Sequence, residues 1–329
     1  MHRTLTTVLA LALFLPGVVS AQSIESLGST DTFSVSVSPQ YPASFSQATL
    51  SFLSATIDLA NAVLTVSVGG KQIYQGSVRP VAIPLGRAGS VAAVTVTVTS
   101  ANIPYKQSLS IQPQDVSLIA EPISSAPVLY LGKPLVPLEG STRVVAVASM
   151  KDAGGRTIDP TTLSYTWTVD GTQIANSSGI GKQAVIVASP LQYRTRTVSV
   201  VVRSQVGSLT SGASLSLAPI APSLRVYEND PLLGIRFDRA LETYAIQDSE
   251  ASLYAAPYSL PMSSGAPSIQ WFLNGAAAQI GNLITLRPSG SGQGSASLSL
   301  TASAGTSAMA TTNIPLSFGA KSSSNFFGL

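Results

Sequence analysis

The sequence predicts an all-β chain made of three tandem β-sandwich domains. Three observations carry this prediction: an internal repeat, alternating strands that follow each repeated segment, and a composition rich in Ser and Thr. Only 10% of the 329 residues are charged, whereas a typical soluble domain has ~25%. Because Ser and Thr suit the solvent face of strands, this composition favours β-structure over helix.

The repeat is clearest in three β-prone segments that each end in a tight-turn pair. The segments are residues 64–70, 165–171 and 269–275. They end in Gly-Gly, Asp-Gly and Asn-Gly, which accept the positive φ angles of a type I′ hairpin turn. The final glycines, Gly70, Gly171 and Gly275, lie 101 and 104 residues apart. This spacing matches the length of one β-sandwich domain, so each glycine is predicted to mark one hairpin in one domain.

Each copy then continues with a returning strand and with strands of alternating polarity. The returning strands are predicted to open at Gln72-Ile73, Gln173-Ile174 and Gln279-Ile280, with two extra residues in the third copy. The alternating strands include residues 94–99, 198–202 and 298–301. A period of two places one set of side chains in a core and the other in water.

One residue in each repeated segment is the candidate for the centre of a core. Trp167 and Trp271 are aligned in the second and third copies, and Val66 stands at the same place in the first. A large aromatic residue on a central strand is typical of packing between the two sheets of a sandwich. We therefore assign all three to cores, with stacking of a sugar on a tryptophan as the alternative.

The middle copy resembles a known family of domains. Residues 165–171 read Tyr-Thr-Trp-Thr-Val-Asp-Gly, and residues 197–200 read Thr-Val-Ser-Val. Together they resemble the Y-x-W-x-x-D-G…V-x-L-x-V pattern of PKD domains and bacterial immunoglobulin-like domains. The resemblance is best in the middle domain and is weaker in the two that flank it. It implies immunoglobulin- or PKD-like sandwiches that act as non-catalytic spacers, adhesive units or substrate-binding appendages.

The N-terminus predicts a secretory signal peptide over residues 1–21. His2 and Arg3 precede an apolar run, and Val19-Ser20-Ala21 supplies the small residues of a cleavage site. The apolar run is short for a hydrocarbon core of ~30 Å, which favours cleavage over an uncleaved anchor. We therefore expect a secreted or cell-surface protein with no integral membrane span after cleavage.

The repeat divides the rest of the chain into a polar leader, three domains and a Ser-rich tail. The predicted bounds are 22–31, 32–113, 114–218, 219–318 and 319–329. The junctions are short, so a semi-rigid rod is expected. Helix is predicted to be minimal, with a turn allowed only at residues 57–62 and 239–242.

The composition argues against catalysis and against nucleic-acid binding. His2 is the only histidine, and the chain has no cysteine. Ser–His–Asp, Cys–His and His-based metal sites require those residues. The 18 basic residues are scattered, which disfavours a phosphate-binding stripe. The missing cysteine pair also favours a bacterial or archaeal envelope protein over a secreted animal module. We predict a protein that is not an enzyme and needs no cofactor.

Acidic residues gather at the start of the third domain and leave calcium as an open alternative. Glu228, Asp230 and Asp238 belong to this group. Carboxylate oxygens near a domain junction are suitable ligands for Ca²⁺. The spacing matches no calcium-binding loop, however, and Arg236 and Arg239 are close enough in sequence to neutralise several of these charges.

The last residues of the sequence are a candidate partner-binding segment. Phe326, Phe327 and Leu329 follow a Ser-rich stretch, and an apolar segment of this kind suits a partner's groove or sheet edge. The alternative is that the segment folds back on the third domain.

The leading hypothesis is a structural or adhesive protein that contacts envelope or appendage proteins such as a pilus. The alternative is a set of carbohydrate- or polymer-binding modules. That alternative requires a line of exposed tyrosines, for which the candidates are Tyr41, Tyr74, Tyr105 and Tyr193.

Overall fold

The computed structural model describes residues 33–128, 130–289, 292–305 and 307–319, and it confirms the all-β prediction. Its strands form six sheets, which pack as three sandwiches. The predicted signal peptide, the polar leader and residues 320–329 of the tail lie outside the described residues. No helix in the described part of the chain is long and apolar enough to span a bilayer.

Neither place where a turn of helix was allowed is helical. Residues 57–62 contain bends and a hydrogen-bonded turn, and residues 239–242 are loop and bend. The helical turns among the described residues are the short 3₁₀ segments Pro160–Thr162 and Ala175–Ser177. In the first case the Asp58 carboxylate accepts the backbone N–H of Ala60 at 3.0 Å. A side chain that takes a local backbone donor in this way favours a turn over a helix.

The first sandwich has seven strands. They are β1 (Ser34–Ser38), β2 (Gln47–Leu53), β3 (Val63–Val68), β4 (Lys71–Ser77), β5 (Val81–Pro84), β6 (Ala92–Ser100) and β7 (Ile103–Ile111). One sheet has the order β1-β2-β5 and the other β4-β3-β6-β7. Leu50, Leu64 and Ile83 are among the fully buried residues between them. This sandwich lies in a first compact unit of the chain, which includes residues 47–86 and 91–112.

The second sandwich repeats this order. Its strands are β8 (Asp115–Pro122), β9 (Ser141–Ser149), β10 (Ser164–Val169), β11 (Thr172–Gln173), β12 (Gly179–Ile180), β13 (Ala184–Ala188), β14 (Arg196–Arg203) and β15 (Thr210–Leu217). One sheet has the order β8-β9-β13 and the other β11-β10-β14-β15, with β12 also paired to β10.

The third sandwich adds two short strands before its second long one. Its strands are β16 (Ser223–Asp230), β17 (Gly234–Ile235), β18 (Tyr244–Ile246), β19 (Ala251–Tyr258), β20 (Ser268–Leu273), β21 (Ala276–Ile280), β22 (Leu283–Leu286), β23 (Gly294–Ala304) and β24 (Ala308–Phe318). The sheets have the orders β17-β16-β19-β22 and β18-β24-β23-β20-β21. Strand β18 runs parallel to β24.

The second and third sandwiches belong to one compact unit, which also takes in residues 40–46 and 87–90. The backbone N–H of Ser125 donates to the carbonyl of Leu260 at 2.7 Å. The N–H of Leu260 returns a bond to the Ser125 hydroxyl at 3.0 Å. The hydroxyl of Ser259 donates to the Ile220 carbonyl at 2.9 Å. Because Ser125 and Ser259 are buried, these bonds satisfy groups that would otherwise be costly to desolvate, and they hold the junction together.

The central strand of each sandwich places one large apolar side chain in the core. Trp167 and Trp271 are fully buried, as is Val66. Each lies opposite an apolar residue of the neighbouring strand: Val66 faces Val96, Trp167 faces Val200 and Trp271 faces Leu300.

The hairpin after each central strand has positive φ at both turn positions. Gly70, Gly171 and Gly275 have φ of 82°, 81° and 84°. The residues before the last two, Asp170 and Asn274, have φ of 51° and 49°, a conformation that Asp and Asn tolerate better than most residues. These pairs of angles are those of type I′ turns.

The turn side chain also fastens the next strand of the sheet. The Asp170 carboxylate accepts the backbone N–H of Thr197 at 2.8 Å. The Asn274 side-chain oxygen accepts the N–H of Ser297 at 2.9 Å. The first copy has Gly69 at this position and lacks such a side chain.

The predicted two-residue insertion in the third copy is wrong. Two positions after the last turn glycine, Gln72 pairs with Ser67 and Gln173 pairs with Thr168. The residue in the same register of the third copy is Ala277, which pairs with Phe272. A β-bulge then places Gln279 opposite Trp271, and the same bulge in the first copy places Tyr74 opposite Val66.

Asn274→Gly is expected to destabilise the third sandwich by about 1 kcal/mol, because it removes one hydrogen bond to a backbone donor. Glycine keeps the positive φ of the turn, so the loss reports on the bond and not on strain. Asn274→Asp keeps the acceptor and is the matched control. Urea unfolding followed by tryptophan fluorescence measures the change, and equal stability of the two variants would contradict the assignment.

Candidate functional site

Asp230, one of the three predicted calcium ligands, caps the turn between β16 and β17. Its carboxylate accepts the backbone N–H groups of Leu232 and Leu233 at 2.8 and 2.9 Å. These donors favour the charged form and hold the pKa of Asp230 below its usual value. The carboxylate therefore stabilises a hairpin whose tip presents two exposed leucines.

The other two acids also have partners within the protein. Glu228 accepts the hydroxyl of Tyr244 at 3.1 Å, and the Asp238 carboxylate lies 3.7 Å from the Arg236 guanidinium. In the part of the chain that the structure describes, no three or more His, Cys, Asp or Glu side chains form a group that could hold a metal ion. The structure therefore does not bring Glu228, Asp230 and Asp238 together as a ligand set.

The four tyrosines considered for glycan binding differ in exposure. Tyr193 is 94% exposed, whereas Tyr41, Tyr74 and Tyr105 are only partly exposed. The Tyr74 hydroxyl donates to the carbonyl of Ser77 at 2.7 Å, which ties that ring to its own hairpin. The candidate partner-binding residues Phe326, Phe327 and Leu329 lie outside the described residues.

An apolar groove of about 490 Å³ lies on the third sandwich, where the segment from the second sandwich joins it. Val128 from the junction segment, and Ile280 and Leu283 from the third sandwich, line it. Tyr254 and Met262 also line it. The side chains of Val128 and Ile280 are 68% and 71% exposed. None of the lining residues carries a charge.

The groove continues into an open sheet edge. Strand β21 is the outermost strand of its sheet, and all five of its residues are exposed. It reads Ala-Ala-Ala-Gln-Ile, without a charge or a proline. Edge strands present unpaired N–H and C=O groups, and proteins usually protect them with charges, prolines or bulges. Strand β21 lacks charges and prolines, has one β-bulge opposite Trp271 and Phe272, and lies beside the apolar groove.

A layer of aromatic rings supports the groove from below. Tyr227 and Tyr254 are buried on the face of their sheet that points away from the main core. The Phe237 ring packs edge-on against both, with centroids 5.1 and 6.0 Å away. The hydroxyls of Tyr227 and Tyr258 lie 2.9 Å apart. Burial first, and this hydrogen bond second, raise the pKa of Tyr258.

The same layer anchors the wall that comes from the second sandwich. The Tyr130 ring packs edge-on against Tyr258, with centroids 5.8 Å apart. The backbone N–H of Met262 donates to the carbonyl of Ile123 at 3.1 Å. Val128 lies between Ile123 and Tyr130 in sequence and lines the groove.

Sequence reasoning missed this groove because its walls are far apart in the chain. Val128 and Leu283 are separated by more than a hundred residues, and no local pattern links them. Two signals were present: an uncharged apolar run over residues 126–131, and an uncharged returning strand after Gly275. The two segments form a groove only because the junction between the second and third sandwiches places them side by side.

No known family profile matches the chain, and no curated protein matches its sequence. Several solved structures are similar. The three N-terminal domains of the bacteriophage RB49 highly immunogenic outer capsid protein (Hoc) are 14% identical, with a TM-score of 0.24, over 87% of this chain and 98% of that chain. The central fibronectin-III array of RIM-binding protein is 11% identical, with a TM-score of 0.28, over 88% and 98%.

The four N-terminal immunoglobulin domains of Dscam1 isoform 8.4 are 12% identical, with a TM-score of 0.23, over 87% of this chain and 73% of that chain. At these TM-scores the likenesses carry no argument about function. The assignment of immunoglobulin-like sandwiches rests on the strand order and on the three separate cores.

Unfolding free energy is expected to fall between pH 10 and about 12, in part through Tyr244. Burial, and next the charge of Glu228, raise the pKa of Tyr244 from 10.0 to about 12. Folding therefore favours the neutral phenol, and this stabilisation is complete below pH 10 and is lost as the pH approaches 12. Tyr244→Phe should reduce the slope of unfolding free energy against pH in that window. An unchanged slope in urea titrations across the window would contradict this assignment.

Removal of divalent cations is expected to leave the melting temperature unchanged, because Glu228, Asp230 and Asp238 are each satisfied by protein groups. Scanning calorimetry with EDTA, and again after added Ca²⁺, measures this. A fall of several degrees with EDTA that Ca²⁺ reverses would restore the calcium hypothesis.

Proposed function

We propose that this chain is a non-catalytic structural or adhesive protein, secreted or held at the cell surface. Its immunoglobulin-like modules mediate contact with other proteins of the envelope or of an appendage such as a pilus. The observation that carries the proposal is the uncharged groove beside the open edge of β21 on the third sandwich.

This combination suits an extended apolar segment of a partner protein. In strand addition, main-chain hydrogen bonds to a sheet edge supply affinity, and pockets for alternate side chains supply specificity. Here β21 provides the edge, and Ile280, Leu283 and Val128 provide apolar contacts. Because the groove has no charge, a charged segment would lose its hydration there without gaining an ion pair.

The chemistry of the chain supports a binding role over a catalytic one. His2 is its only histidine and it has no cysteine. The carboxylates described above hold a hairpin, a tyrosine and an ion pair. The apolar residues Phe326, Phe327 and Leu329 are proposed as a second contact element, which adds to the groove and does not depend on it.

Binding of a carbohydrate or another polymer is the second candidate function. One observation favours it: the ring of Tyr193, 94% exposed on the loop before β14, is available for stacking. Tyr193→Ala would abolish glycan binding in this case and would leave protein contacts intact.

The double variant Ile280→Lys/Leu283→Lys is expected to lose the partner protein in pull-downs from envelope fractions, with bound proteins identified by mass spectrometry. Both side chains are exposed, so the fold should tolerate the lysines. The matched control is Ile180→Lys, an exposed isoleucine of the second sandwich. A variant that lacks residues 320–329 tests the second contact element. Equal recovery of every partner by all variants, together with binding on a glycan array that Tyr193→Ala abolishes, would replace the proposal by its alternative.

A further inference from the structure

Strand β13 is an open sheet edge on the second sandwich. It is the outer strand of the β8-β9-β13 sheet, and it reads Ala-Val-Ile-Val-Ala without a charge or a proline. Ile186 at its centre is 65% exposed. A β-branched, uncharged edge of this kind is a template for pairing with another strand.

The hydrogen bonds at both ends of β13 determine which of its backbone groups are free. The carbonyl of Gln183 accepts from the N–H of Ala146 at 2.8 Å, and the N–H of Ser189 donates to the carbonyl of Gly140 at 3.0 Å. In an antiparallel pair, every second residue bonds to the neighbouring strand and the others point away from it. The odd-numbered residues of β13 therefore bond to β9.

The even-numbered residues, Ala184, Ile186 and Ala188, direct their N–H and C=O groups to the open edge. The Ala188 carbonyl accepts from the Arg196 guanidinium at 2.9 Å, and a carbonyl oxygen has a second lone pair for another donor. Apart from this bond from Arg196, the outward-facing groups are arranged symmetrically about Ile186.

The sequence of β13 is a palindrome with the same centre. When two such strands pair antiparallel about Ile186, Ile186 faces Ile186, Val185 faces Val187, and Ala184 faces Ala188. Cross-strand pairs of β-branched residues stabilise a sheet. Bonded and outward-facing residues alternate symmetrically about any residue of a strand, so the palindrome alone sets the centre. The observed phase then makes Ile186–Ile186 a hydrogen-bonded pair.

The solvent-exposed face of this sheet is also compatible with pairing of two copies. Ile119 and Val147 are exposed there, and both flank Val145 of the central strand. Arg143 on this face is paired with Glu121 at 2.6 Å. Across the symmetric seam the two Arg143 residues would be three strand spacings apart, ~14 Å, which exceeds the ~8–10 Å over which salt screens charges.

We propose that β13 pairs with β13 of a second copy of this chain about a two-fold axis at Ile186, which joins two three-stranded sheets into one of six strands. The contact is isologous, since each copy uses the same patch. It deepens the proposed function by naming one partner of the surface protein. The dimer rests on the proposed function in one respect: attachment at a surface supplies the high local concentration that a weak dimer needs.

The seam is short, so the dimer should be weak. Its five residues per copy cover much less than the ~800 Å² per partner of a standard interface. Copies held close together at a surface gain effective concentration, which compensates for low intrinsic affinity.

Cysteine cross-linking tests the register directly, because the chain has no native cysteine. Facing residues of a hydrogen-bonded antiparallel pair have Cα atoms ~5.5 Å apart, within the ~4.4–6.8 Å range of disulfides. Ile186→Cys in the full chain should form a disulfide dimer under mild oxidation. Ile180→Cys is the matched control, since Ile180 is 63% exposed on the same sandwich and lies outside β13. Equal cross-linking of the two variants would overturn the proposal.

Sedimentation velocity over a concentration series tests the affinity. Ile186→Lys places two ammonium groups opposite each other at the axis, and it should raise the dimer dissociation constant at least tenfold. Ile180→Lys should leave the constant unchanged, and circular dichroism should show both variants folded. A wild-type monomer at every concentration, or a dimer that survives Ile186→Lys, would overturn the proposal. The groove variant Ile280→Lys/Leu283→Lys should still dimerise. The dimer proposal and the groove proposal are therefore tested independently of each other.

Discussion

In the second and third sandwiches, one indole ring links the two sheets of the module. Trp167 is buried on β10, and its N–H donates to the carbonyl of Lys182 at 2.8 Å. Trp271 on β20 donates to the carbonyl of Gly281 at 2.7 Å. Each acceptor lies just before a strand of the opposite sheet, β13 or β22. The ring therefore fills the core and also fixes the place where the chain crosses between the sheets. The positions of the open edge strands β13 and β21, which lie next to these crossings, depend on it.

The first sandwich solves the same problem without an indole. Val66 replaces the tryptophan and faces Val96, and the smaller aromatic rings of Phe33 and Phe52 contribute to the core. The chain has no cysteine to cross-link its sheets. Burial and hydrogen bonds therefore stabilise the fold, and the buried Ser259 hydroxyl is one group that such a bond satisfies.

The parts of the structure that sequence predicted well are those specified by neighbouring residues. A Gly-Gly, Asp-Gly or Asn-Gly pair determines its own turn, and alternation determines which side of a strand is buried. The alternating strands predicted at residues 94–99, 198–202 and 298–301 lie within β6, β14 and β23. Residues 57–62 do not form the turn of helix that the sequence allowed, because the Asp58 carboxylate accepts the backbone N–H of Ala60. The periodicity of the sequence does not reveal such a contact.

The candidate site was harder to predict because it depends on contacts between distant segments. The acids at the start of the third module form a cluster in the sequence, yet each finds its own partner in the fold. The groove requires the junction segment to lie beside the turn that joins β21 and β22. Strand β21 lacks the lysine that other edge strands carry, such as Lys71 in β4 and Lys106 in β7.

The parallel pairing of β18 with β24 has a mechanical consequence. Tyr244 lies opposite Leu316, and Ile246 lies opposite Phe318. Tension transmitted along the chain through Phe318 would slide β24 past β18 and load their hydrogen bonds together, in shear. Bonds in a hairpin pulled from its open end break one after another instead. Forced unfolding is governed by the unfolding rate, so the third module should withstand a pull that would open a hairpin.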